Sequence, residues 1–130
     1  MKKLGQDGQS LVEFALVVPI LLVLIIGIAE FGRAWMTRNI MTGAAREAVR
    51  IAAVRSGSGT TDNTFRDRAD AVLSSAGITG ATVDLGGDGL TFGTVTVTVS
   101  YEFPVVLAGF VPGLTGNFPL SSSTTMRREY

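Results

Sequence analysis

The first third of the chain is dominated by an unbroken apolar run. No charged side chain occurs between Phe14 and Ala29. Residues 11–29 would extend about 28 Å as a helix at about 1.5 Å per residue, which matches a hydrocarbon core of about 30 Å. The pattern predicts a membrane-spanning helix that carries one charge, Glu13, near its start.

A helical period continues beyond the apolar run, through residues 36–54. Small and apolar side chains recur there every three to four positions, which is typical of a helix with one buried face. The predicted stripe contains Ile40, Ala44, Ala48 and Ile51, widened by Met41, Ala45 and Ala52. The Ser/Gly sequence at 56–59 predicts the end of the helix. We therefore expect one long helix, with its first half in the membrane and its second half packed on a small domain.

The remaining sequence predicts a short helix followed by strands. Phe65, Ala69, Val72 and Ala76 are spaced as one face of a helix that Gly77 ends. Residues 81–85 and 95–103 alternate between apolar and polar, and glycine-rich residues 86–89 predict the turn of a hairpin between them. The Ser/Thr-rich residues 120–128 predict a last strand at a sheet edge. The predicted fold class is α+β, with the long N-terminal helix packed on a small antiparallel β-sheet and one additional short helix.

The segment between Pro104 and Pro119 is apolar but has no regular period. It is too short to span a membrane. Two interpretations stay open. The segment covers the small core as a loop, or it exposes an apolar surface to a partner or to the membrane.

Composition excludes several kinds of chemistry. The chain has no cysteine, no histidine and a formal net charge of zero, which excludes disulfides, thiolate zinc sites, cysteine nucleophiles and Ser-His-Asp triads. The balanced charge gives no indication of nucleic-acid binding. Asp84, Asp88 and Glu102 are interpreted as turn or solvent-facing residues. We expect no enzymatic activity, no metal and no other cofactor.

Charges and a glycine before the apolar run predict its orientation and processing. Lys2 and Lys3 place the N-terminus in the cytoplasm by the positive-inside rule. A glutamate at the position of Glu13 is costly without a partner. Gly8 suits a protease subsite that admits no side chain, and cleavage after it would give Gln9 a new α-ammonium group. That group could pair with Glu13 of a neighbouring chain.

Two simpler interpretations of the apolar segment stay open. One is an uncleaved signal anchor. The other is a secretory signal cleaved after Ala29, since Gly27-Ile28-Ala29 is a weak match to a small-x-small cleavage site.

The predicted membrane exit is marked by Glu30, Phe31, Gly32 and Arg33. Glu30 and Arg33 are spaced to pair on one helix face. Trp35 would lie in the interfacial region, where an indole buries its ring and keeps its N–H hydrated.

Two stretches of the sequence carry a family resemblance. They are GQSLVEFALVVPILL at residues 8–22 and GIAEFGR at residues 27–33. Together they resemble the TadE-like family of minor pilins (pseudopilins) of tight-adherence (Flp) pilus systems. The resemblance implies a single-pass protein of the inner membrane with a cytoplasmic N-terminus and an extracytoplasmic head. It also implies cleavage between Gly8 and Gln9 and an assembly role for Glu13.

The resemblance further implies a set of partners and a division of the chain. The partners are a prepilin peptidase, the major and other minor pilins, the inner-membrane assembly platform and membrane lipid, with no nucleic acid. The expected segments are a leader at 1–8, a transmembrane segment at 9–30, its extra-membrane continuation at 31–56 and a small α+β head at 57–130. The alternative is a membrane-anchored extracytoplasmic binding or accessory protein of a secretion apparatus that does not polymerise.

Overall fold

The predicted fold class is confirmed by the arrangement of helices and strands. A computed structural model of the chain describes residues 6–55, 63–87, 93–109, 113 and 116–128. Its elements in chain order are α1 (Gln6–Arg55), α2 (Thr64–Ser75), β1 (Thr82–Gly87), β2 (Thr94–Pro104), a 3₁₀ helix (Val106–Gly109) and β3 (Asn117–Arg127). The long helix, the short helix and one antiparallel sheet give the α+β architecture.

The sheet has the order β1-β2-β3, so the longest alternating segment forms its central strand. One face of β2 packs against the helices, and its buried side chains are Val95, Val97, Val99 and Phe103. On the opposite face, hydroxyl groups pair across β2 and β3, with 2.8 Å between Thr96 and Thr125 and 2.9 Å between Thr98 and Ser123. The alternation of residues 95–103 thus separates a core face from a hydrated face, and β3 lies at a sheet edge as predicted.

The buried face of α1 is rotated from the predicted stripe. Its buried side chains are Met41, Ala44, Ala45, Ala48, Val49, Ala52 and Ala53. Ile40 and Ile51, expected near the centre, are only partly buried at its margin. Both α2 and the sheet pack against this half of α1. The alanines let both approach closely, so the centre of the contact follows small side chains rather than the largest ones.

Two boundaries in the sheet differ from the prediction. Gly86 and Gly87 belong to β1, where they pair with Thr96 and Val95, so they are not turn residues; the rest of the predicted turn, 88–89, lies outside the described residues. Strand β3 begins at Asn117 rather than at residue 120. The reason is that β2 is long, and its last residues extend the ladder to Phe118 and Pro119.

The short helix differs from the prediction at one buried position. Leu73 packs in the core beside Phe65 and Ala69, whereas Ala76 lies past the helix end and is exposed. Gly77 follows with a φ of 75°, a conformation that favours glycine at a helix C-terminus. The Ser/Gly sequence at 56–59, predicted to end the long helix, lies outside the described residues.

The two strand glycines differ in how much room surrounds them. A Cβ on Gly87 would lie 2.6 Å from the carbonyl oxygen of Thr94, whereas the nearest atom to a Cβ on Gly86 is 4.0 Å away. Gly87→Ala is therefore expected to destabilise the fold by about 1–3 kcal/mol, because backbone must move. Gly86→Ala should stay within about 1 kcal/mol of the parent. Denaturant unfolding of the detergent-solubilised chain, followed by circular dichroism, compares the two; equal stability of both variants would contradict this packing.

Candidate functional site

The first half of α1 stands apart from the rest of the fold. The helix continues without a break through Pro19. Most of its large apolar side chains between Leu11 and Ile28 expose 41–74% of their surface, and none of its most apolar stretch is buried within the chain. The core helix of a soluble domain would be buried instead. Length, composition and exposure together indicate a single-pass membrane anchor.

One side of the first turns of α1 gathers the residues of the predicted processing and assembly site. Gly8, Gln9, Val12, Glu13 and Leu16 lie on one exposed side of the helix. Glu13 lies one helical turn beyond Gln9 and is exposed. Within the described part of the chain, no residue forms an ion pair with Glu13.

The fold does not require a glycine at position 8. A Cβ placed on Gly8 would meet nothing within 4 Å. The bond between Gly8 and Gln9 lies near the start of the described part of α1. Glycine lowers helix stability by about 1 kcal/mol relative to alanine, so neither packing nor helix stability explains the glycine at this position.

The predicted membrane exit is also where the head contacts α1. Arg33 Nη1 donates a hydrogen bond of 2.6 Å to Glu30 Oε1, as their spacing predicts. The other carboxylate oxygen of Glu30 accepts a 3.4 Å bond from the backbone N–H of Val106. The guanidinium carbon of Arg33 lies 5.1 Å from the ring centroid of Phe103. Because Arg33 is about half exposed, its ion pair contributes only about 0.2–1 kcal/mol; its main effect is to hold the end of β2 at this level of the helix.

The aromatic residues of the exit lie on the exposed side of α1. Phe31 and Trp35 stack with ring centroids 6.2 Å apart, and both are more than half exposed. Trp35 lies about 8 Å beyond Glu30 along the helix at about 1.5 Å per residue. That distance matches the headgroup region of a bilayer, where tryptophan is enriched.

Comparison with known proteins supports the resemblance noted from the sequence. Residues 8–50 match the family model of TadE-like proteins. This TadE-like segment begins at Gly8 and includes Glu13 and the exit motif at residues 30–33. No curated protein and no solved structure matches the chain. The resemblance is thus confirmed over the segment that contains the membrane anchor, the membrane exit and most of the second half of α1.

Three contacts near the TadE-like segment could not be read from local spacing. One is the contact of the Arg33 guanidinium with the ring of Phe103, and another is the hydrogen bond from the Val106 N–H to Glu30. The third is the 2.8 Å contact between the hydroxyl groups of Thr42 and Ser122. Each joins residues about seventy to eighty positions apart. Sequence periodicity reports only neighbours along one element. These contacts arise because β2 and β3 lie along α1.

The carboxylates considered as catalytic candidates are not brought together. Asp84 pairs with Thr98 in the β1–β2 ladder, four residues along β2 from Glu102, or about 13 Å at about 3.3 Å per residue. Both side chains are exposed. Asp88 lies outside the described residues.

Proposed function

We propose that this chain is a minor pilin (pseudopilin) of a tight-adherence (Flp-type) pilus or of a related secretion system. The observation that carries the proposal is the TadE-like segment starting at Gly8, with Glu13 on the same exposed side of the helix. In this proposal a prepilin peptidase cuts after Gly8. Helix α1 then holds the product in the inner membrane, with its N-terminus in the cytoplasm. From the membrane the protein helps to initiate or assemble the filament.

The distribution of buried surface on α1 supports assembly through this helix. The head covers one side of its second half only, and Asn39, Gly43, Arg46 and Arg50 follow one another on an exposed side. The first half has no buried residue among those that the structure describes. The helix can therefore exchange lipid contacts for contacts with neighbouring subunits while the head stays attached to it.

Glu13 supplies the specific contact in this proposal. Lipid tails are as apolar as leucine, so apolar contact alone provides little drive for helices to associate in a membrane. A carboxylate in that environment is costly unless it is paired. The α-ammonium group of Gln9 on a neighbouring subunit would neutralise Glu13 and fix the register between the two helices.

Glu13→Val tests this role. The variant should enter the membrane and be cut, because the change removes a charge from the apolar segment. Association with the major pilin should fall, since the unpaired ammonium group costs about 3–5 kcal/mol, or roughly a hundredfold or more in affinity. Intact mass reports cleavage, and photo-crosslinking from position 12 to the major pilin reports association. Leu16→Val is the matched control, because it changes the same side of the helix without changing its charge.

The outcomes separate the proposal from its alternatives. Undiminished crosslinking of Glu13→Val would show that Glu13 does not pair with the ammonium group of a neighbouring subunit. In the unmutated protein that group would then pair with Glu13 of its own chain or would have no such partner. A parent chain that is cut but never crosslinks to the major pilin would favour the non-polymerising accessory protein. A mature N-terminus at Met1 or at Glu30 would contradict the pilin proposal and favour a signal anchor or a secretory signal.

A further inference from the structure

Contacts between α1 and the sheet fix how the head is oriented along the helix. Ser122, which pairs with Val99 of β2, contacts Thr42. Further along β2, Phe103 contacts Arg33, and Val106, just after the strand, contacts Glu30. Strand β2 thus runs back along α1 toward the membrane exit. The end of the sheet that joins β2 to β3 lies level with Glu30, and the opposite end of the sheet lies away from the exit.

The end of the head next to the exit exposes apolar side chains. Val106 is 55% exposed and Phe118 is 57% exposed. Phe118 pairs with the buried Phe103 across the sheet, so it lies on the helix-facing side but beyond the cover that α1 provides. The sequence contains no charged residue between Glu102 and Arg127. A domain end that faced only water would be expected to carry charged side chains within a stretch of this length.

The position of Val106 along α1 sets its depth relative to a bilayer. Residues 11–29 fill the hydrocarbon core, with a helical length of about 28 Å. Glu30 follows at the boundary, and its carboxylate lies 3.4 Å from the backbone nitrogen of Val106. The interfacial region extends about 5–8 Å beyond the hydrocarbon core. The exposed apolar side chains at this end of the head therefore lie within reach of the interface, level with Phe31 and Trp35.

We infer that Val106 and Phe118 form a lipid-facing patch that rests in the bilayer interface on the head's side of the membrane, near the depth of Phe31 and Trp35 on the exposed side of α1. The inference depends on the membrane-anchor part of the proposed function and not on the pilus. Burial of apolar surface in lipid supplies the favourable free energy, and aromatic rings suit this depth. The patch would hold the head against the bilayer and restrict the tilt of α1.

Site-specific fluorescence in pure lipid vesicles tests the inference. Because the chain has no cysteine, Val106→Cys and Phe118→Cys each give one labelling site for a thiol-reactive NBD dye. The full-length protein is reconstituted in phosphatidylcholine vesicles that carry a nitroxide either shallow or deep in the acyl chain.

Two further cysteine variants serve as controls. Met126→Cys is the matched control, since Met126 is 38% exposed on the same face of β3, about 26 Å from Phe118 at about 3.3 Å per residue. Ile20→Cys reports the membrane span itself.

The expected result is a blue-shifted emission at positions 106 and 118 and strong quenching by the shallow nitroxide, with neither effect at 126. Position 20 should be quenched most by the deep nitroxide. If 106 or 118 responds like 126 while 20 is quenched, the lipid-facing patch is wrong and that surface faces water or a protein partner. If 20 escapes the deep nitroxide, the anchor is wrong and the inference falls with it.

Discussion

Gly8→Val is expected to leave the chain uncut in the membrane, with residues 1–8 still attached. A branched side chain would occupy a protease subsite that accepts only hydrogen. The folded chain itself tolerates the change, because a Cβ at this position meets nothing within 4 Å and the residue is exposed. Intact mass of the protein extracted from membranes distinguishes the precursor from the proposed product of the unmutated chain, which would lack residues 1–8. The loss of cleavage should be complete or nearly so.

Gly27→Val is the matched control for this experiment. Gly27 is also a glycine of α1 with no atom within 4 Å of a Cβ, so the two variants change helix propensity in the same way. The Gly27 variant should be cut like the parent. Cleavage of Gly8→Val at the same bond would contradict the processing site. Failure of both variants would instead point to an effect on the helix or its insertion.

Leu73→Ala is expected to destabilise the head by about 2–5 kcal/mol, the usual cost of removing a buried leucine side chain. Leu73 is 1% exposed and is the largest fully buried side chain of α2. Alanines form most of the α1 surface in the same core and are too short to fill the cavity. Because small domains are stable by only about 5–15 kcal/mol, the change removes a large share of the total. Denaturant unfolding of the chain in detergent, followed by circular dichroism, measures it.

Leu85→Ala is the control of the same chemistry. Leu85 is 40% exposed in β1, so its truncation should cost about 1 kcal/mol or less. Cleavage after Gly8 should be unchanged in both variants, because the first turns of α1 make no contact with this core. Equal loss of stability in the two leucine variants would show that the core is not centred between α1, α2 and the sheet.

The sequence by itself determined the parts of this protein that depend on neighbouring residues. The apolar run, the helical period after it and the alternation in β2 are each repeats along one element, and the physics that produces them is local. The spacing of Glu30 and Arg33 likewise predicts their ion pair, since helical residues three apart lie on one face. Gly8 and Glu13 were noticed in the same way, as two unusual residues at a fixed distance before an apolar run, and their roles stay predictions.

Only the tertiary structure decided which surfaces meet. Met41 and Val49 are buried where Ile40 and Ile51 were expected, because two elements pack on α1 and the contact is centred on its alanines. Strand β3 starts at Asn117 because β2 is long enough to extend the ladder to that residue.

The position of the apolar end of the head along α1 was decided in the same way. The segment after Pro104 had two interpretations from sequence, core cover or exposed surface. The bond from Val106 to Glu30 places its first residues at the membrane exit. That bond joins residues 76 positions apart, and contacts between such distant residues follow from the packing of whole elements, which no local pattern encodes.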